Sequence, residues 1–235
     1  MAVGYNPRIV TDGLVLALDA GNTKSYVGSG TTWRDLSGRG NTGTLTNGPT
    51  FSSANGGSIV FDGTDDKVLV NAGTNFAYGT GDFTVEAFIY ATTLAQTGTY
   101  DGHTIFSQTT NGVNYLLFNF NSTGTIGWTN TTSGGGTPLS SNSGVIKATR
   151  WHHVVTSRVS NILSIYVDGI VVAQSGNTFD FNNTTYNPAI GNYTHTDSEI
   201  PFAGRISTVR VYKGKGLTAA EVQRNFNALR GRFGI

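Results

Sequence analysis

The chain has 235 residues, 32 of them Gly, with no Cys, one Met, 12% charged residues and a formal net charge of +1. That composition excludes collagen, which needs Gly at every third position, and coiled coils, which need charged heptads. The lack of Cys excludes zinc fingers, disulfide scaffolds and thiol catalysis, and 37% hydrophobic with 11% aromatic residues excludes a disordered tail.

Many Gly, Asn and Thr among Val, Ile, Phe and Tyr predict short strands and tight turns, an all-β sandwich or barrel. All-β chains of this length often form one domain, and such a chain buries roughly 70% of its unfolded surface. Residues 1–12 lack periodicity and read as an N-terminal arm; residues 13–235 read as one domain, with no linker to split it. Leu14 to Asp19 is a first strand, apolar on both faces, and a polar loop follows from Gly21 to Gly48. Ser58 to Gly63 is a short strand ending at Asp-Gly, and Lys67 to Val70 continues after the acidic Asp65-Asp66 turn. Phe83 to Tyr90 is the longest strand: Phe83, Val85, Ala87 and Ile89 share one face, Glu86, Phe88 and Tyr90 the other. Bulk on both faces predicts a central position.

Thr104 to Ser107 and Asn114 to Phe120 are strands separated by an Asn111-Gly112 turn. Residues 131–144, rich in Thr, Ser and Gly, read as a flexible loop. Trp151 to Thr156 is a strand, and Leu163 to Val167 with Ile170 to Ala173 is a hairpin turning at Asp168-Gly169, the signature of a type I′ turn. Arg205 to Tyr212 is the last strand. Thr218-Ala219-Ala220-Glu221 is a capping box, and Val222, Phe226 and Leu229 then form one apolar stripe, so a single helix docks on the sandwich. Gly214-Lys215-Gly216 lacks the rest of a phosphate-binding loop and reads as the turn before that helix.

Seven motifs in order carry a resemblance: Asp35 to Asn41, Phe61 to Asp66, Phe83 to Phe88, Trp151 to Val154, Tyr166 to Gly169, Phe202 to Ile206 and Leu217 to Val222. Together they resemble the laminin G-like branch of the concanavalin A-like lectin and glucanase superfamily. The resemblance implies a jelly-roll sandwich of two curved antiparallel sheets. It also implies a binding or building role: such domains bind glycans or proteins, accompany hydrolases, or build virion surfaces. The ending from Arg224 to Ile235 resembles endings of tailed-phage virion proteins. The expectation is a non-enzymatic structural virion protein of a tailed phage, decorating the capsid or forming a fibre or adhesion element. Its partners would be other virion proteins, further copies of itself and a cell-surface glycan, with the arm of residues 1–12 docked on a neighbouring subunit. The alternative is a soluble carbohydrate-binding lectin module.

Enzyme chemistry is weighed against this. The superfamily's glucanases place paired carboxylates on one strand, and retaining chemistry needs them roughly 5 Å apart. The chain has three Glu: Glu86 alone on its strand, Glu221 in its capping box and Glu199 with Asp197 in a polar loop. A structural pairing accounts for Glu86. His152 and His153 are adjacent on a strand and face opposite sides, so they cannot share an ion; one is expected inward and one outward.

Calcium is the metal expectation, because a hard cation takes six to eight oxygens. Asp35, Asn41, Gly43 and Asp62 are the candidate ligands, with Ser37, Asp65 and Asp66 adding oxygens. The resemblance implies an acidic residue on the last strand as a further ligand, but Ser207 stands after Ile206; the competing reading is Asx-turns that close the loops. For a glycan, the exposed-aromatic candidates are Tyr100, Trp128, Tyr186 and Tyr193.

Charge is balanced, so no nucleic-acid footprint is expected; Arg224, Arg230 and Arg232 read as a solvated helix end. No run approaches the roughly 18 apolar residues of a membrane span, and Met1 to Pro7 shows no signal pattern. Synthesis in a host cytoplasm and residence on a virion surface are the corresponding expectations.

Overall fold

Strands with bulk on both faces need a packed layer on each side. The computed structural model describes residues 7–71, 74–95, 101–110, 114–132, 135–136, 138–182, 187–193 and 200–235. In chain order the strands are β1 (Leu14–Asp19), β2 (Thr32–Trp33), β3 (Gly43–Thr46), β4 (Thr50–Ser52), β5 (Ser58–Asp62), β6 (Lys67–Val70) and β7 (Phe83–Ala91). There follow β8 (His103–Thr110), β9 (Asn114–Phe120), β10 (Ile126–Thr132), β11 (Gly135–Gly136), β12 (Leu139–Ser140) and β13 (Trp151–Val159). The last are β14 (Ile162–Val167), β15 (Ile170–Gly176), β16 (Ala189–Ile190) and β17 (Ala203–Lys213), before the α-helix α1 (Ala219–Phe233).

They form two antiparallel sheets. The eight-stranded sheet runs β15-β14-β13-β7-β17-β5-β4, with β1 also on β17; the nine-stranded sheet runs β11-β10-β9-β8-β16-β6-β3-β2, with β12 on β10. The expected jelly-roll sandwich with one C-terminal helix is therefore present. As its pattern predicts, β7 is central, with β13 and β17 on its two sides. Its Phe83, Val85, Ala87 and Ile89 enter the core between the sheets, where Trp33, Phe106, Phe118 and Trp128 meet them.

The opposite face of the eight-stranded sheet is roofed by α1. Phe226 and Phe233 pack on Phe88 and Trp151, while Val222 packs with Val155, Tyr166 and Tyr212. The Phe88 and Phe233 rings stack at 4.4 Å between centroids. Each such aromatic side chain removed from water contributes about 1.5–3 kcal/mol. The helix begins with the expected capping box at Thr218 and Glu221 and ends on Gly234 in the left-handed conformation. Gly216 before it has no room for a side chain, since a Cβ there would meet Arg158 O at 2.0 Å.

Three expectations need correction. The tract 131–144 is not all loop: β10 runs through Thr132, and β11 and β12 pair with it. The polar stretch Gly21 to Gly48 contains β2 and β3. His153 does not face solvent, because α1 covers that face; it is as buried as His152. The described part of the N-terminal segment, residues 7–12, packs on its own chain: Val10 meets Tyr212, Leu217 and Val222. Its backbone N donates to Asn225 Oδ1 at 2.8 Å and its carbonyl accepts from the Tyr212 hydroxyl at 3.0 Å.

Candidate functional site

Glu86 lies on the outward face of β7, opposite Arg210 in the register with β17. The helix roof leaves its side chain only 1% exposed, so a bare charge there would be costly. Its carboxylate accepts from Arg210 Nη1 at 2.8 Å and from Asn225 Nδ2 at 3.1 Å, and stands 3.2 Å from His153 Nε2. Burial on its own would raise its pKa, but Arg210 and His153 overcome that and bring it down to about 2. Burial and the Glu86 charge push the Tyr212 phenol up, keeping it a donor. The group is thus an ionised structural acceptor, closed off from any substrate.

His152 is used locally. Its Nδ1 is 3.0 Å from Asp168 Oδ2 and its Nε2 accepts from Lys147 N at 3.1 Å. Asp168 is the first residue of the β14–β15 turn, at φ 52°, followed by Gly169 at φ 82°, as a type I′ turn requires. Asp197 and Glu199 lie outside the described residues.

The Asp35 motif closes a strand edge. Asp35 Oδ1 accepts from Ala17 N and Ser37 N, both at 2.9 Å, and Oδ2 accepts from Ser37 Oγ at 2.7 Å and Asn41 N at 3.0 Å. Ser37 Oγ is also 3.0 Å from Val15 O, which accepts from Asn41 Nδ2 at 2.7 Å, and Leu36 N donates to Ala17 O at 2.9 Å. Every lone-pair site of the Asp35 carboxylate is taken, so it does not fit a cation. The motif satisfies the free edge of β1.

The four expected calcium ligands do not converge. Gly43 pairs with Val70 and Thr46 with Lys67, so Asn41 lies beyond one end of this ladder and Asp62 beyond the other, about 10 Å or more apart. Asp62, Asp65 and Asp66 do form a group, with carboxylate oxygens within 4.8 Å of one another. Burial raises the Asp66 pKa, and the Asp62 and Asp65 charges add to the rise. Their oxygens suit a hard cation. At Ser207, where the resemblance implies an acid, Arg232 Nη2 donates to Oγ at 2.7 Å. Arg232 also binds Asp19, Asn55 O, Gly56 O and Gly57 O, so this end of the helix is anchored rather than solvated.

Of the aromatic candidates, Trp128 belongs to the core, fully buried against Phe83 and Phe118, and offers no surface ring. Tyr193 is 7% exposed and packs with Leu117 and Ile200 on the outer face of the nine-stranded sheet. Tyr100 and Tyr186 lie outside the described residues. The same outer face carries Thr109, whose hydroxyl is 3.4 Å from the Tyr193 hydroxyl, and by strand alternation Asn119 and Thr129.

Sequence reasoning missed Arg158, which is fully buried. Its guanidinium donates to the carbonyls of Gly79, Gly81 and Phe179 and to Asn177 Oδ1. The Phe83 and Phe181 rings flank it at 5.1 and 4.8 Å. It joins the 79–82 and 177–181 segments, and no local pattern announces it.

With this geometry in hand, comparison with known proteins places the chain. The family model of the concanavalin A-like lectin/glucanases superfamily matches residues 62–223, and the chain belongs to that family. No curated protein sequence matches it. Among solved structures it is similar to domain 4 of AbnA, an extracellular arabinanase from Geobacillus stearothermophilus, in complex with arabinotriose. There the TM-score is 0.66 at 17% identity, over 89% of this chain and 96% of that one. It is also similar to the binding domain of botulinum neurotoxin DC in complex with rat synaptotagmin II, with TM-score 0.72 at 15% identity over 94% of this chain. A third likeness is the binding domain of Paraclostridial Mosquitocidal Protein 1, at TM-score 0.68 and 13% identity. The chain spans 52% of the length of each of these two toxin structures. These likenesses, all under 20% identical, show a shared fold.

Proposed function

We propose that the chain is a non-catalytic carbohydrate-binding module. The observation that carries this reading is the end-to-end likeness, over 89% and 96% of the two chains, to a domain in complex with arabinotriose. The absence of catalysis is supported by Glu86, whose oxygens are held by Arg210, His153 and Asn225 beneath the helix. The outer face of the nine-stranded sheet, at the partly exposed Asn119 and Thr129, is the sugar-binding surface in this reading. Amide and hydroxyl side chains on a sheet face suit the hydroxyl groups of a sugar. A glycan array followed by calorimetry with arabinotriose tests it. Saturable binding weakened by Asn119→Ala is expected, and silence across the array overturns it.

The finer reading is a virion-surface protein of a tailed phage, a capsid decoration or a fibre element, assembled with other virion proteins and further copies of itself. The resemblance of the Arg224 to Ile235 ending supports it. Antibody raised against the chain should label purified particles in electron microscopy, and unlabelled particles would sink it.

A further inference from the structure

A cleft of about 620 Å³ lies between the residue 7–11 segment, β1 and the α1 face that carries Arg224, Ala228 and Leu229. Three arginines line it, Arg8, Arg210 and Arg224, together with the aliphatic side chains of Leu14, Leu36 and Leu229. Arg210 opposes Ala17 in the β1–β17 register and so forms part of the floor. Its side chain is only 5% exposed, yet Nη1 to Glu86 Oε1 is the bond it makes among the described residues. Among the described residues its other donors have no hydrogen-bond partner, and the residue lines the cleft. At the rim Arg224 uses Nε on Arg8 O at 2.6 Å, leaving its terminal nitrogens to solvent. The carboxylate in the lining, Asp19, is committed to Arg232 at 2.7 Å. Among the described residues no aromatic ring lines the cleft.

We infer that this cleft is a binding site for a small aliphatic carboxylate, with its head group on Arg210 and Arg224 and its chain along Leu14, Leu36 and Leu229. A guanidinium accepts a carboxylate through two parallel bonds, and a partly dry floor strengthens them. Aliphatic walls match a hydrocarbon tail; a sugar would call for a ring to stack on. The volume lies within the usual range of small-molecule pockets. This site is independent of the sheet face proposed for carbohydrate.

The test is an amide-resolved NMR titration of the full chain with octanoate, beside octanol and octylammonium as probes of equal length. Saturable shifts at Ala17, Asp19, Ala228 and Leu229 are expected with octanoate alone. Arg224→Gln, at an exposed helix position, weakens binding about tenfold, the loss of one charge-assisted contact. Arg210→Lys tests the floor, and Leu36→Glu, on an exposed loop, keeps the test decisive if that variant does not fold. Equal binding of octanol, an unchanged affinity in Arg224→Gln and Leu36→Glu, or no saturable shift with octanoate would each overturn the assignment.

Discussion

Asn225 Nδ2 sits 3.1 Å from both carboxylate oxygens of Glu86. Its Oδ1 accepts from Val10 N. One helix residue thus ties the buried charge of the sheet to the N-terminal segment. Asn225→Leu removes a donor to an ionised group and leaves Val10 N without its acceptor. Bonds to charged groups contribute about 1.5–3 kcal/mol, so a loss of about 2 kcal/mol in urea unfolding is expected, with faster hydrogen exchange at Val10.

Acid should find the same cluster. The folded pKa of Glu86 lies near 2, against an ordinary 4.5. A depressed carboxyl stabilises the fold above its unfolded pKa, and that contribution falls away as pH drops from about 4.5 towards 2. At 1.36 kcal/mol per pH unit this amounts to about 3 kcal/mol. Denaturant unfolding measured across that window should show the slope. Glu86→Gln should flatten it while lowering stability at pH 7, because Arg210 is left unpaired in a buried site.

Asp35→Ala should loosen an edge rather than abolish a metal site. Four donors, Ala17 N, Ser37 N, Ser37 Oγ and Asn41 N, lose their acceptor. The expected cost is about 2–3 kcal/mol. Hydrogen exchange should speed up at Ala17 and Leu36 first, and chelator should make no difference to the variant's deficit.

The acidic turn predicts the opposite sign. A carboxyl whose folded pKa is raised costs stability at neutral pH, and that cost fades as pH falls through the raised value. Asp65→Asn should therefore raise Tm at pH 7, with the gain disappearing in acid. A hard cation offers the same relief. Millimolar calcium should raise the Tm of the parent chain and leave Asp62→Asn/Asp65→Asn unmoved. A parent Tm indifferent to calcium and chelator would remove calcium from the account.

Most strands were legible because alternation and turn chemistry are local: the β14–β15 hairpin needs only Asp168-Gly169 and its flanking rows. β10 was lost because Thr and Asn along 129–132 carry the same composition as the loop that follows. Its pairing with β9 decides the matter, and that is not local. The same pairing turns Trp128 inward. The Asp35 motif could be found but not interpreted, since its partners are the backbone groups of a strand about 20 residues earlier. The Arg210 floor was not legible in the sequence, because its place opposite Glu86 comes from the pairing of β17 with β7 and its cleft exists because the helix and the N-terminal segment return to that face.

Arg158 gives the sandwich a second, differently governed clasp. Its partners are carbonyls and an amide, not carboxylates. Burial lowers its pKa, but a guanidinium keeps its charge across the acid range. Neither side of that contact titrates where Glu86 does. In acid the helix and N-terminal segment should therefore come away first, while the 79–82 and 177–181 segments stay knotted around Arg158. The molecule has one latch that protons open and one that they ignore, so its order of disassembly is written into which atoms hold each cation.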